Sequence, residues 1–224
     1  MTYPSTKSSE DLIRQLGLRL ERLWRDPQDR AQMEAITTVL DAKYGLASKV
    51  AREEGVQDIL MQMIGRLAHA YGLISNLRGQ RILDVASGSN SSSAPASLYA
   101  NSPFGERKMG LAASGYTALF EPWFCRILVE LGADPVGVDL GDLDGEGFEH
   151  YRVDLGQRDA LNFLPSHSFD AVHDSRLFGS PEFTTQFPNP SDRVRVAAEI
   201  WRQEQRLLKA GGQVIHSDAR DLLG

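Results

Sequence analysis

The segment Arg81-Ile82-Leu83-Asp84-Val85-Ala86-Ser87-Gly88-Ser89-Asn90 constrains the fold more than any other part of the chain. An apolar strand reaches an acidic residue and then breaks into a loop of small residues. Farther on, Pro135-Val136-Gly137-Val138-Asp139 also ends an apolar run on an aspartate. Two strands that each bring a carboxylate to one sheet edge are a common grip on a nucleoside in an open α/β fold. From position 81 onward, short runs rich in Val and Ile alternate with helical segments, the signature of βα units and a mostly parallel sheet. The pattern predicts strands at about 81–86, 135–139, 149–153, 169–174 and 212–217. It predicts helices at about 121–132, along the stripe Phe124, Ile127, Leu128 and Leu131, and at about 191–209, with Gly211-Gly212 just beyond the end. The small-residue stretch from 89 to about 117 is far longer than the ~2–6 residues usual between a strand and its helix, and so reads as an insertion or lid.

Residues 1–79 carry a different pattern and are expected to form a helical subdomain ahead of the α/β domain at 80–224. Leu12, Ile13, Leu16, Leu20, Leu23 and Trp24 recur at helical spacing. Asp26-Pro27 reads as a cap followed by proline in the first turn, with Met33, Ile36, Val39 and Leu40 along the apolar face behind it. A third segment runs from Val56 to Tyr71 and ends at the turn Asn76-Leu77-Arg78-Gly79.

Several function classes are excluded or weakened by composition. A net charge of −6 with no compensating basic stripe argues against nucleic-acid binding. Cys125 is the only cysteine, so an intramolecular disulfide is impossible and a cysteine-based zinc site implausible; no metal site is expected. No apolar run approaches the ~18 residues of a spanning helix, and the N-terminus lacks a signal-peptide pattern, which gives a cytoplasmic protein as the expectation. The acidic run from Asp139 to Glu146 superficially suggests a calcium loop, but that register puts Leu140 and Tyr151 at the first and last ligand positions. An NAD-dependent oxidoreductase is disfavoured because Gly-x-Gly-x-x-Gly is absent after the first strand, and a serine hydrolase because no Gly-x-Ser-x-Gly elbow precedes a helix.

Taken in order, these segments resemble the class I S-adenosylmethionine-dependent methyltransferases over roughly residues 80–218. Ile82 to Asn90 stands in the place of the family's first motif, and Asp139 in that of the acidic residue ending its second strand. Tyr151-Arg152-Val153-Asp154-Leu155, Leu164-Pro165-Ser166-His167-Ser168-Phe169-Asp170-Ala171-Val172 and Leu207-Leu208-Lys209-Ala210-Gly211-Gly212-Gln213-Val214-Ile215 resemble the adenine segment and the approaches to strands four and five. The resemblance implies a Rossmann-like open sheet and S-adenosylmethionine as cofactor. Asp84, Ala86, Ser87, Gly88 and Asn90 would then line the glycine loop. Asp139 and Leu140 would meet the ribose, and Asp154 and Leu155 the adenine. Ala86 and Asn90 stand where the family often has glycine. Plainer readings remain beside these: Asp84 as satisfier of turn backbone, Asp139 as part of a solvated acidic loop, Asp154 as a turn residue.

Ligands of open α/β sheets lie beyond the carboxyl ends of the strands. His173-Asp174-Ser175-Arg176 falls there and gives the catalytic expectation, His173 or Asp174 as base and Arg176 as holder of an acidic substrate group. The competing reading has His173 in the core and Arg176 paired with Asp174. His216-Ser217-Asp218 is a second polar group on that edge, and Phe104, Tyr116, Phe120 and Trp123 suggest an aromatic cap. The functional expectation is methyl transfer to a small-molecule acceptor, with a methyltransferase-like binding or regulatory subunit as the non-enzymatic alternative. Two departures from the family pattern are the insertion, which moves Asp139 away from Gly88, and the short stretch after strand five. The latter leaves a sheet edge to be covered by the N-terminal helices, by a homodimer or by a partner subunit.

Overall fold

A computed structural model describes residues 26–47, 74–89, 121–174, 177–178 and 181–216. The expected helices at 8–24 and 56–71, most of the 89–117 insertion with Asn90, Phe104, Tyr116 and Phe120, and also Arg176, Ser217 and Asp218, lie outside the described residues. The chain divides into two compact units, residues 1–78 and 79–224. Among the described residues no helix is long and apolar enough to cross a membrane.

In the first unit, α1 spans Pro27–Tyr44. The Asp26 carboxylate accepts from the backbone N–H of Gln28 at 2.7 Å and of Asp29 at 3.3 Å, while Pro27 occupies a first-turn position where no N–H is needed. Met33, Ile36 and Leu40 form its buried stripe, with Val39 half-buried beside them. Gly45 ends it at φ 65°, its N–H returning to the Asp41 carbonyl at 2.8 Å.

The second unit is α/β. Its five strands are β1 (Arg81–Val85), β2 (Asp134–Asp139), β3 (Glu149–Arg152), β4 (Phe169–Asp174) and β5 (Leu208–His216). They pair in the order β3-β2-β1-β4-β5, all parallel, giving an open Rossmann-like sheet. Helices α2 (Trp123–Glu130), α3 (Pro181–Gln186) and α4 (Pro190–Leu207) accompany it. Chain direction across the sheet reverses between β1 and β4, the switch point where such sheets open a crevice. Ile82, Leu83, Asp84 and Val85 are all buried, as expected of a strand covered on both faces.

Register separates the two faces. Asp84 sits opposite His173 of β4 and Gly137 of β2, and this set faces α2. Leu83 and Val85 sit opposite Val172 and Asp174. They share one apolar core with Val136, Val138 and the α4 residues Val196, Ala197, Ile200 and Leu207.

The expected boundaries fail in one place. The sequence predicts a helix to about 209, stopped by Gly211-Gly212, and a strand from 212. Instead α4 ends at Leu207, and Leu208 is already extended at φ −69°, ψ 136°. Phe169 pairs with Leu208 but Ala171 pairs with Gln213, so residues 209–212 stand against the single Asp170 and the β5 strand carries three extra residues there. The glycines serve that irregularity. Gly211 stands at φ 81°, and a Cβ on Gly212 would come within 3.0 Å of the Asp170 carbonyl. Lys209 closes over the displaced loop by binding the Asp170 carboxylate at 2.9 Å.

Candidate functional site

Where β1 ends, the backbone turns sharply. Ala86 adopts φ 59° and Gly88 φ 87°, both left-handed. The Ser87 N–H donates to the Val138 carbonyl at 3.1 Å, which lays the loop across the end of β2. Gly137 makes that approach feasible: a Cβ there would stand 3.0 Å from Ser87 Oγ and 2.9 Å from the Phe148 ring. The consequence is that Gly88 and Asp139 meet. Asp139 Oδ2 accepts the Gly88 N–H at 3.0 Å, and Oδ1 accepts the Gly141 N–H at 2.8 Å. The Ser89 side chain adds a further hydrogen bond to this carboxyl. Burial raises the Asp139 carboxyl above its ordinary range, and the backbone donors of Gly141 and Gly88 hold part of that rise back.

The loop after β2 is not merely a solvated acidic run. The Glu146 side chain is buried and bidentate to Arg126, with Nε to Oε2 at 3.1 Å and Nη2 to Oε1 at 2.5 Å. Arg126 also bonds Glu121 and lies 4.6 Å from the Trp123 ring centroid. This buried ion triad pins the loop carrying Asp139 to α2.

Asp154 is used locally. It accepts from the Gly156 N–H at 2.9 Å, from Gln157 at 3.0 Å and from Gln186 at 3.2 Å. Those bonds outweigh its partial burial and lower its carboxyl pKa. Leu155 packs against the α4-side core.

The expected catalytic pair is split by strand alternation. His173 points to the α2 face and is fully buried. Its Nδ1 lies 2.7 Å from Asp84 Oδ1, and its ring stacks on Phe124 with centroids 3.9 Å apart. Cys125 Sγ approaches Asp84 Oδ2 at 3.6 Å. Burial raises the Asp84 carboxyl, with the His173 charge and hydrogen bond opposing, and it pushes the Cys125 thiol well up, so this thiol is not a ready nucleophile. Nε2 of His173 has no hydrogen-bond partner among the described residues. The two readings of Asp84 thus gain a third: it holds a histidine ring.

Asp174 points to the opposite face and is 2% exposed, accepting the Leu177 N–H at 3.3 Å. On α4, Glu204 is 0% exposed, and neither of its carboxyl oxygens has a hydrogen-bond partner among the described residues. Burial and the nearby Asp174 charge raise Glu204 to about 9. Glu204, Phe124 and Cys125 are participants the sequence reading did not assign. For Glu204 a signal existed: it lies four residues after Ile200 and three before Leu207, inside the buried stripe of α4, although Arg202, Gln203 and Gln205 surround it in sequence.

Among the described residues no group of three or more His, Cys, Asp and Glu side chains is arranged to hold a metal ion. Comparison with protein-family models, curated proteins and solved structures finds no match to this chain.

Proposed function

We propose that the chain binds S-adenosylmethionine at the carboxyl edge of β1 and β2 and transfers a methyl group to a small-molecule acceptor. The reading is supported above all by the contact between the loop after β1 and the acidic end of β2, the Gly88 N–H on Asp139, beside the switch point of a parallel sheet. The residues fit such a ligand. Gly88 presents backbone without a Cβ, and Ala86 intrudes by one methyl only. The Asp139 carboxylate has about four acceptor positions; two hold backbone donors, and a third holds Ser89, whose side chain can rotate away in favour of a ribose hydroxyl. When bound, the cofactor supplies an electrophilic methyl on a sulfonium. The chain's own task is then to align the acceptor and exclude water. Neither His173 nor Asp174 is offered to solvent as a base, so alignment, not proton abstraction, carries this reading.

That same burial favours a second reading, a methyltransferase-like binding or regulatory subunit without chemistry of its own. Calorimetric titration with S-adenosylhomocysteine, with NAD as control, tests the cofactor site on which the first reading depends. Methyl transfer requires micromolar binding of the first and none of the second. Asp139→Ala removes charged hydrogen bonds of about 1.5–3 kcal/mol and is expected to weaken binding by one to two decades. Absence of binding by the folded chain would reject the cofactor site altogether.

A further inference from the structure

We propose that Arg152 is a positioning residue of the nucleoside site: it clamps the Leu140–Gly141 peptide, and that peptide aims the Asp139 carboxylate. What the carboxylate grips rests on the cofactor reading above; the clamp itself rests on geometry.

A chain of hydrogen bonds carries the inference. The Leu140 carbonyl and the Gly141 N–H belong to one peptide unit, which is planar and stiff. Its carbonyl accepts from Arg152 Nε–H at 3.0 Å, and its N–H donates to Asp139 Oδ1 at 2.8 Å. In a trans peptide these two groups point in opposite directions, so the plane is held from both edges. Arg152 is delivered to this place by the sheet. It ends β3 opposite Asp139, the last residue of β2, and the N–H of the following Val153 donates to the Asp139 carbonyl at 2.7 Å. From there the Arg152 side chain reaches past the end of β2 to Leu140.

The carboxylate responds to this peptide because its other oxygen is also tied to backbone, the Gly88 N–H on Oδ2 at 3.0 Å. Donors on both oxygens fix the plane of the group, and with it the direction of the acceptor positions left for a ribose hydroxyl. The far half of the same loop has its own anchor, Glu146 on Arg126, which leaves Arg152 to hold the near half. Arg152 is exposed and makes no other hydrogen bond among the described residues. Its removal therefore acts on the clamp with little loss of packing.

The test compares two variants of the full chain. Arg152→Met puts a methyl where Arg152 has Nε and so keeps the reach while removing the donor; Arg152→Lys keeps a donor nearby. By calorimetry Arg152→Met is expected to weaken S-adenosylhomocysteine binding about three- to tenfold, and Arg152→Lys to recover most of that. The loss should persist at high salt, where exposed charges are screened. The melting temperature of Arg152→Met should stay within about 2 °C of wild type. In an Asp139→Ala background Arg152→Met should have no further effect, because it acts through that carboxylate. In the ligand-free chain, hydrogen exchange of the Gly141 amide, followed by NMR, should be about three- to tenfold faster in Arg152→Met and near wild type in Arg152→Lys. The proposal is overturned by unchanged Gly141 exchange, by a binding loss that adds in full to that of Asp139→Ala, or by one that tracks the melting temperature. Failure of the wild-type chain to bind S-adenosylhomocysteine rejects the cofactor reading instead. The Gly141 amide then decides the clamp: faster exchange in Arg152→Met upholds it, and unchanged exchange overturns it.

Discussion

The two faces of this sheet treat a buried carboxyl in opposite ways. On the α2 face Asp84 is fully buried and fully engaged, with His173 at 2.7 Å and Cys125 beside it. On the α4 face Glu204 is equally buried, yet among the described residues it has neither a hydrogen-bond partner nor a cation bonded to it. Burial pushes both carboxyls upward, but among the described residues Asp84 alone of the two has a basic partner opposing the push. The contrast shows what a neighbour's chemistry does at constant burial. One face gains a fixed polar join between β1, β4 and α2; the other keeps a buried acid on α4 with no hydrogen-bond partner among the described residues.

Removing the join should cost most. Asp84→Ala leaves His173 buried beside a void and is expected to destabilise the chain by about 3–5 kcal/mol, read as a lower urea midpoint. A cost under about 1 kcal/mol would mean that the pair contributes only packing. The opposite sign is expected on the other face. Glu204→Met removes a buried acid that lacks a partner and should stabilise at neutral pH by about 1–3 kcal/mol. The pH dependence sharpens this. Glu204 has its ordinary value of 4.5 when unfolded and about 9 when folded. The folded chain therefore binds the extra proton between those values. Its stability is full below about 4.5 and falls as pH rises toward 9. Thermal melts at pH 5 and pH 8.5 should show the advantage of Glu204→Met growing with pH; a constant difference would contradict the assignment.

A smaller effect tests how tightly the α2 face is built. Gly137→Ala drives a methyl toward Ser87 and Phe148, and it should cost about 1–2 kcal/mol while weakening S-adenosylhomocysteine binding through the displaced loop. Unchanged binding with lowered stability would separate the loop from the ligand. The smallest effect is expected at Ala86, whose left-handed backbone suits glycine better. Ala86→Gly should raise stability by at most about 1 kcal/mol, offset in part by the entropy of the unfolded glycine, and leave binding intact.

Much of the fold was legible because β1, β2 and β4 are short runs rich in Val, Ile and Leu or other apolar residues that end on Asp84-Val85, Asp139 and His173-Asp174, and because Asp26-Pro27 announces α1 so plainly. The start of β5 was not. Gly211-Gly212 carries the chemistry of a helix stop, and only pairing with β4 reveals that the glycines serve a ladder irregularity. The short α3 offers too few turns for a periodic signal. At the site, the glycine loop and Asp139 could be placed from their positions at strand ends. The partnership of Asp84 with His173 could not, since it depends on a register between strands far apart in sequence. Reading His173 and Asp174 as one cluster overlooked that adjacent strand residues face opposite ways.

The account rests on a ligand lying across the ends of β1 and β2. Hydrogen exchange of the full chain, with and without S-adenosylhomocysteine, tests that location most directly. The expected result is slowed exchange in the segments around 83–89 and 137–142, centred on Gly88 and Gly141, with the C-terminal half of α4 unchanged. Slowed exchange confined to other segments, or none at saturating ligand, would contradict it.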